Sequence, residues 1–227
     1  MDSDYPDHEQ VRLSDIVKRG IAISDANIIF IILFFIVNFL TWFAFDHIRT
    51  HLIGSDTPAE TERLRLIILY LFAVSVPISA LIDSLIGALL RKQLLPTQPD
   101  SNVSLLAWGR KFYFRMLLLT VIQGVAFVLA FPLDSAFYIP LRYAAAFVIW
   151  QDCSVRKAFA GTNSFLAPHS AKFLPVWLVG TAVLVWANLT AFLPASSNPV
   201  FTGLVHLVLA YFDFAMMATA LVFFLML

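Results

Sequence analysis

The sequence has little charge and almost no cysteine. Only 13% of its 227 residues are charged, well below the ~25% typical of a soluble domain. Fifteen basic and fifteen acidic residues cancel, so no net charge points to nucleic acid or to an acidic substrate. The single cysteine, Cys153, excludes an internal disulfide and any CxxC redox or zinc pair.

Motifs of known catalytic sites are also absent. The sequence contains no GxSxG, no HExxH and no Walker lysine loop. We therefore expect a protein that is not an enzyme and that uses no cofactor.

Long apolar runs dominate what is present, since 60% of the residues are hydrophobic and 22 are Phe. Such runs are typical of membrane spans of about 20 residues. Six runs are predicted to be helices: 28–45, 66–90, 114–133, 136–151, 173–193 and 200–227. The sequence thus predicts an all-α integral membrane bundle of about six transmembrane helices. The fourth run is short and contains Arg142, so a partial span or a re-entrant hairpin is the alternative there.

Two short stretches outside these runs have apolar residues at helical spacing, in 13–21 and in 155–166. Each carries basic residues on its other side: Lys18, Arg19, Arg156 and Lys157. Such amphipathic helices can lie in the membrane interface with their charges on anionic lipid. The alternative is that they pack on the bundle. Residues 1–26 are accordingly predicted to be a cytoplasmic segment, and residues 27–227 the transmembrane domain.

The positive charges predict an orientation. With six spans, eleven Lys and Arg residues fall on one side of the membrane and three on the other, apart from Arg142. Because Lys and Arg accumulate on the cytoplasmic side, both termini are predicted to be cytoplasmic.

Ionisable side chains inside the apolar runs are the first candidates for function, because charge is costly in lipid. Asp83 and Asp213 are predicted to lie in the cytoplasmic half, and Arg142 and His206 nearer the outer surface. A pair between Arg142 and either Asp would then have to bridge about 10 Å along the membrane normal. We therefore expect Arg115 to be the partner of Asp83.

Small and polar residues follow one face of the second run, where Ser75 and Ser79 precede Asp83 at a spacing of four. His206 and Asp213 share a face of the sixth run in the same way. One hypothesis is a polar path in which the two Asp residues share a proton. The other is close helix packing, with each Asp neutral or hydrogen-bonded.

His47 and His51 lie four residues apart at the outer end of the first run, a spacing that can place two imidazoles on one metal ion. Two histidines at a helix end are also typical of an ordinary interface. No metal site is assigned to them.

One stretch carries a family resemblance. In 148–166, VIWQDCSVRKAFAGTNSFL, an apolar segment ends in Asp152, and a helix with Ala158, Phe159 and Thr162 follows. The pattern resembles that of the YciC-like bacterial multipass membrane proteins and of the membrane domain related to that of glycerophosphodiester phosphodiesterases. The opening 13–20, LSDIVKRG, is similar to the start of the same group. The resemblance implies a bacterial multipass membrane protein and carries over no activity.

The leading hypothesis is a non-enzymatic protein of a bacterial inner membrane, acting as an envelope or membrane-assembly component. Its expected partners are lipid and a membrane protein or a second copy of itself, with no nucleic acid. The competing hypothesis is a small transporter, or a transporter subunit, that uses Asp83 and Asp213. A lipid-modifying enzyme is the third.

Overall fold

Helices account for nearly all of the chain that the computed structural model describes, which is residues 11–52, 58–95, 103–130, 134–191 and 198–227. Within these ranges there are eight helices and no strand, so the all-α prediction is confirmed. The helices are α1 (Leu13–Ala26), α2 (Ile28–Leu52), α3 (Pro58–Leu94), α4 (Leu105–Ala130), α5 (Asp134–Gln151), α6 (Val155–Leu166), α7 (Ser170–Ala191) and α8 (Pro199–Met226).

Two stretches are long and apolar enough to cross a membrane, Ala73–Leu94 in α3 and Val200–Met226 in α8. Two more candidates are pairs of consecutive helices that are bent at a short break. Helix α1 and the start of α2 meet at an angle of 75°, and α6 and most of α7 meet at an angle of 114°. By length and composition, the described residues thus contain two to four candidate spans, and six crossings are not confirmed. Helix α5 has 18 residues and is about 27 Å long, slightly shorter than the ~30 Å hydrocarbon core.

Helices α2 to α5 alternate in direction. Asn27, just before α2, exchanges two side-chain hydrogen bonds with Gln93 near the end of α3, at 3.0 and 2.9 Å. Arg115, in the first half of α4, donates to Asp152 just after α5. The start of α2 therefore lies beside the end of α3, and the start of α4 lies beside the end of α5. We call this the basic end of the molecule, after its Lys and Arg residues: Arg91, Lys92, Lys111, Arg115, Arg156 and Lys157.

Aromatic rings fix α7 and α8 at the same end. Trp150 in α5 stacks on Phe224 near the end of α8, with ring centroids 5.5 Å apart. His169, just before α7, lies 6.3 Å from Phe223, and Phe165 of α6 lies 5.0 Å from Phe224. The alternation thus continues through α7 and α8, and these aromatic contacts join α5, α6, α7 and α8 at the basic end.

The two short amphipathic helices of the prediction are present as α1, which packs on α8, and α6, which packs on α5. Each buries one face, formed by Ile16, Gly20 and Ser24 in α1 and by Val155, Ala158 and Thr162 in α6. The four basic residues predicted to meet anionic lipid, Lys18, Arg19, Arg156 and Lys157, are exposed. Their exposure satisfies one requirement of lipid contact, and lipid binding itself stays a prediction.

Gly20 allows α1 to approach α8 closely. A Cβ atom at residue 20 would lie 2.9 Å from Thr219 Cα, nearer than Cβ atoms normally come to a backbone atom. Because glycine has no side chain, the two backbones can pack directly on each other. The predicted N-terminal segment is thus, from Val11 onwards, part of the packed bundle.

Candidate functional site

Four polar side chains from three helices meet in the middle of the bundle: Asp83 of α3, Tyr138 and Arg142 of α5, and Asp213 of α8. We call this group the ionic cluster. Arg142 Nη1 donates to Asp83 Oδ2 at 2.7 Å, and Arg142 Nη2 donates to Asp213 Oδ2 at 2.9 Å. One guanidinium group therefore joins α5 to both α3 and α8.

Asp213 has the larger share of these contacts. Besides Nη2, it has Arg142 Nε 2.7 Å from Oδ1, an ion pair that lacks the alignment of a hydrogen bond. The Tyr138 hydroxyl also donates to Oδ1. A planar guanidinium group that faces both oxygens of one carboxylate is the strongest pairing geometry that Arg offers.

The ionic cluster is shielded from solvent. Asp83, Arg142 and Asp213 are 5%, 9% and 6% exposed. Charges buried to this degree require close partners, because desolvation costs several kcal/mol per ion, as an order of magnitude. Among the described residues, Asp83 Oδ1 has no hydrogen-bond partner.

Pro140 shapes the helix that carries two members of the cluster. Proline has no N–H group, so the carbonyl of Ala136, four residues earlier, lacks its usual helical donor. Trp177 Nε1, from α7, donates to that carbonyl at 2.8 Å. This bond fixes the first turns of α5, where Tyr138 lies. The sequence alone indicates only an interfacial tryptophan at this position.

Two predictions about pairing are wrong. Arg142 contacts both Asp83 and Asp213, whereas the sequence predicted a separation of about 10 Å along the membrane normal. Arg115 donates to Asp152 and not to Asp83. The error came from assuming that all helices start at one level. Helix α5 starts 8 residues before Arg142, and α8 starts 14 residues before Asp213. Because Arg142 and Asp213 are in contact, the start of α5 must lie about 9 Å deeper in the bundle than the start of α8.

Arg115 belongs to a second group of charges, at the basic end. Its Nη1 lies 2.7 Å from Asp152 Oδ1, and Lys111 Nζ lies 2.5 Å from Asp152 Oδ2. Partial burial acts to raise the pKa of Asp152, but hydrogen bonds and positive charge from Lys111 and Arg115 outweigh it and hold the pKa below its usual range. Asp152 also has a φ of 49°, in the left-handed region that Asp tolerates better than most residues. It ends α5 and ties that end to α4.

Arg91 of α3 holds the same end of α5. Its Nη1 donates to the carbonyls of Ile149 and Trp150, at 3.2 Å to the latter. These carbonyls belong to the last turn of the helix, where no backbone N–H is available to them. The guanidinium group also lies 4.3 Å from the centre of the Trp108 ring, a cation–π contact. Arg91 thus stabilises the end of α5 by hydrogen bonds and by opposing the helix dipole.

The remaining predicted residues lie outside the ionic cluster. Ser79 and Ser75 are partly buried one and two turns before Asp83 on α3. His206 is partly buried on α8, two turns before Asp213, with its ring 6.3 Å from Phe39. The side chains of His47 and His51 fall outside the described residues. Within the residues that the structure describes, no group of three or more His, Cys, Asp or Glu is placed to hold a metal ion.

Comparison with known proteins gives no match to any family model, curated protein or solved structure. The resemblance to the YciC-like group therefore stays a prediction. The functional assignment depends on the geometry of this chain alone.

Proposed function

We propose that this chain is a non-enzymatic multipass protein of the bacterial inner membrane that serves as an envelope or membrane-assembly component. The observation that carries the proposal is the ionic cluster, in which the charged atoms bind one another across three helices. Asp83, Arg142 and Asp213 are each more than nine-tenths buried, so no substrate reaches them in this conformation. The cluster is suited to holding a bundle together.

The experiment that tests this proposal removes the charges and keeps the hydrogen-bonding side chains. The variant D83N/R142Q/D213N replaces the two acids and the base by neutral amides of similar size. In a host from which the gene is deleted, we expect it to restore growth and resistance to detergent and osmotic stress as well as the wild type does. Expression and thermal unfolding of the purified variant serve as the folding control. A folded variant that restores none of these properties would show that the charges act in function.

Transport is the second candidate, and one observation favours it. Within the described contacts, the ionic cluster holds two carboxyl groups for one guanidinium group, an arrangement that can exchange a proton. A transporter would lose its function in D83N/R142Q/D213N, whereas an assembly component would keep it. The same complementation experiment therefore separates the two candidates.

We further propose six crossings with both termini in the cytoplasm. The alternating directions of α2, α3, α4, α5, α7 and α8 support this topology, since each helix returns to the end from which its predecessor started. The basic end agrees with the cytoplasmic side, because Lys and Arg accumulate there. Reporter fusions after Asp56 and after Gln98 test the topology: a periplasmic enzyme should be active at the first and inactive at the second. Equal activity at the two positions would refute six crossings.

A further inference from the structure

The ionic cluster has one more negative group than positive groups. Arg142 is the only base in contact with its two carboxyl groups among the described residues, and Tyr138 is a neutral donor. A net negative charge in the interior of an apolar bundle is far more costly than a neutral group. One bound proton makes the cluster neutral, as an Arg cation, one carboxylate and one carboxylic acid.

The two acids differ in the hydrogen-bond donors that they contact. Asp213 faces Arg142 Nε and Nη2 as well as the Tyr138 hydroxyl, and such donors stabilise a carboxylate. Within the described contacts, Asp83 receives a single hydrogen bond, on Oδ2. Its Oδ1 atom is buried and unpartnered within the described part of the chain. Arg142 thus brings one positive charge to two buried carboxyl groups.

We propose that the ionic cluster is a proton-binding site that holds one proton on the carboxyl groups of Asp83 and Asp213. The groups that face Asp83 are Arg142 from α5 and, through Arg142, Asp213 from α8. The ligand is a proton and not a metal cation, since a bound cation would need several oxygen ligands. Among the described atoms of the ionic cluster, Asp83 Oδ1 is the only oxygen without a hydrogen-bond partner. The proposal goes beyond the assembly role, which requires no bound proton.

Infrared spectroscopy tests the proposal on the full-length protein in lipid. A protonated carboxylic acid has a carbonyl stretching band that a carboxylate lacks, and this band shifts when H2O is exchanged for D2O. We expect the wild type to show such a band at neutral pH and the D83N variant to lose it. D152N is the matched control, because Asp152 is held as an anion by Lys111 and Arg115, and it should keep the band. A wild type without the band, or a D83N variant that retains it, would overturn the proposal.

Thermal unfolding identifies the protonated residue. Asn resembles a neutral carboxylic acid, so the variant at the protonated position, either D83N or D213N, should unfold close to the wild-type temperature. The variant at the other position removes the anion that Arg142 binds and should unfold more than about 4 °C lower. Equal losses in the two variants would overturn a single bound proton. Stabilisation of the wild type by Na⁺ over choline, together with loss of the infrared band, would show a metal cation and also overturn it.

Discussion

Replacing Arg142 with Gln should lower the free energy of unfolding by about 3–5 kcal/mol, the usual loss when one partner of a buried ion pair is removed. The substitution takes away the hydrogen bonds to Asp83 and Asp213 at 2.7 and 2.9 Å and leaves two buried acids with no base. Denaturant unfolding of the purified protein in a mild detergent measures the loss. The guanidinium group of Arg142 joins α5 to both α3 and α8 through buried carboxyl groups, which is why we expect a large effect.

Two control variants separate the charge of Arg142 from its shape. Lys keeps the charge but lacks the planar guanidinium group that faces both oxygens of Asp213. The free energy of unfolding of R142K should therefore be intermediate between those of the wild type and R142Q. D83N/R142Q/D213N should recover most of the stability, because it removes the unpaired acids together with the base. An R142Q variant as stable as the wild type would show that the ionic cluster does not hold the bundle together.

Replacing Gly20 with Ala should lower the free energy of unfolding by about 1–3 kcal/mol, the usual cost of overpacking. The added methyl group would lie 2.9 Å from Thr219 Cα. A backbone atom cannot relieve this clash by a change of rotamer, as a flexible side chain can. Helix α1 must therefore move away from α8. The same denaturant experiment measures the change, and protease cleavage within α1 reports whether that helix detaches.

Gly203 provides the matched control, since it is also a helical glycine that contacts a neighbouring helix. Among the described residues, a Cβ atom there would meet only the Phe39 ring, at 3.7 Å, an ordinary contact distance. G203A should be neutral, or stabilising by up to about 1 kcal/mol through the helix preference of Ala. Equal losses in G20A and G203A would contradict a specific contact between α1 and α8.

Sequence periodicity predicts the helices of this protein well because each apolar run and each amphipathic stretch is a local pattern. It also selects Asp83, Arg142 and Asp213, since a charged residue within an apolar run is conspicuous wherever it lies. The pairing of these residues is not local. It depends on the depth at which α5 starts, which is set by packing on α3 and α8, and no residue of α5 encodes that depth by itself.

The contacts around Asp152 and Trp177 were beyond sequence reasoning for a different reason. Asp152 was noticed as part of a motif, but its two partners, Lys111 and Arg115, lie about 40 residues earlier in another helix. Trp177 compensates for a proline in a different helix, so neither residue alone suggests the bond. Pro140 does provide a usable signal, because a proline within a buried helix always leaves a carbonyl that needs another donor.

The order of the helices along the chain gives the ionic cluster a consequence for biogenesis. Asp83 and Arg142 are synthesised before Asp213, so a nascent chain can first form a neutral pair of one acid and one base. Docking of α8 then brings a second acid, and on our proposal the ionic cluster takes up one proton as Arg142 pairs with Asp213. Closure of the bundle is thereby coupled to proton uptake, and acidic surroundings favour the completion of assembly.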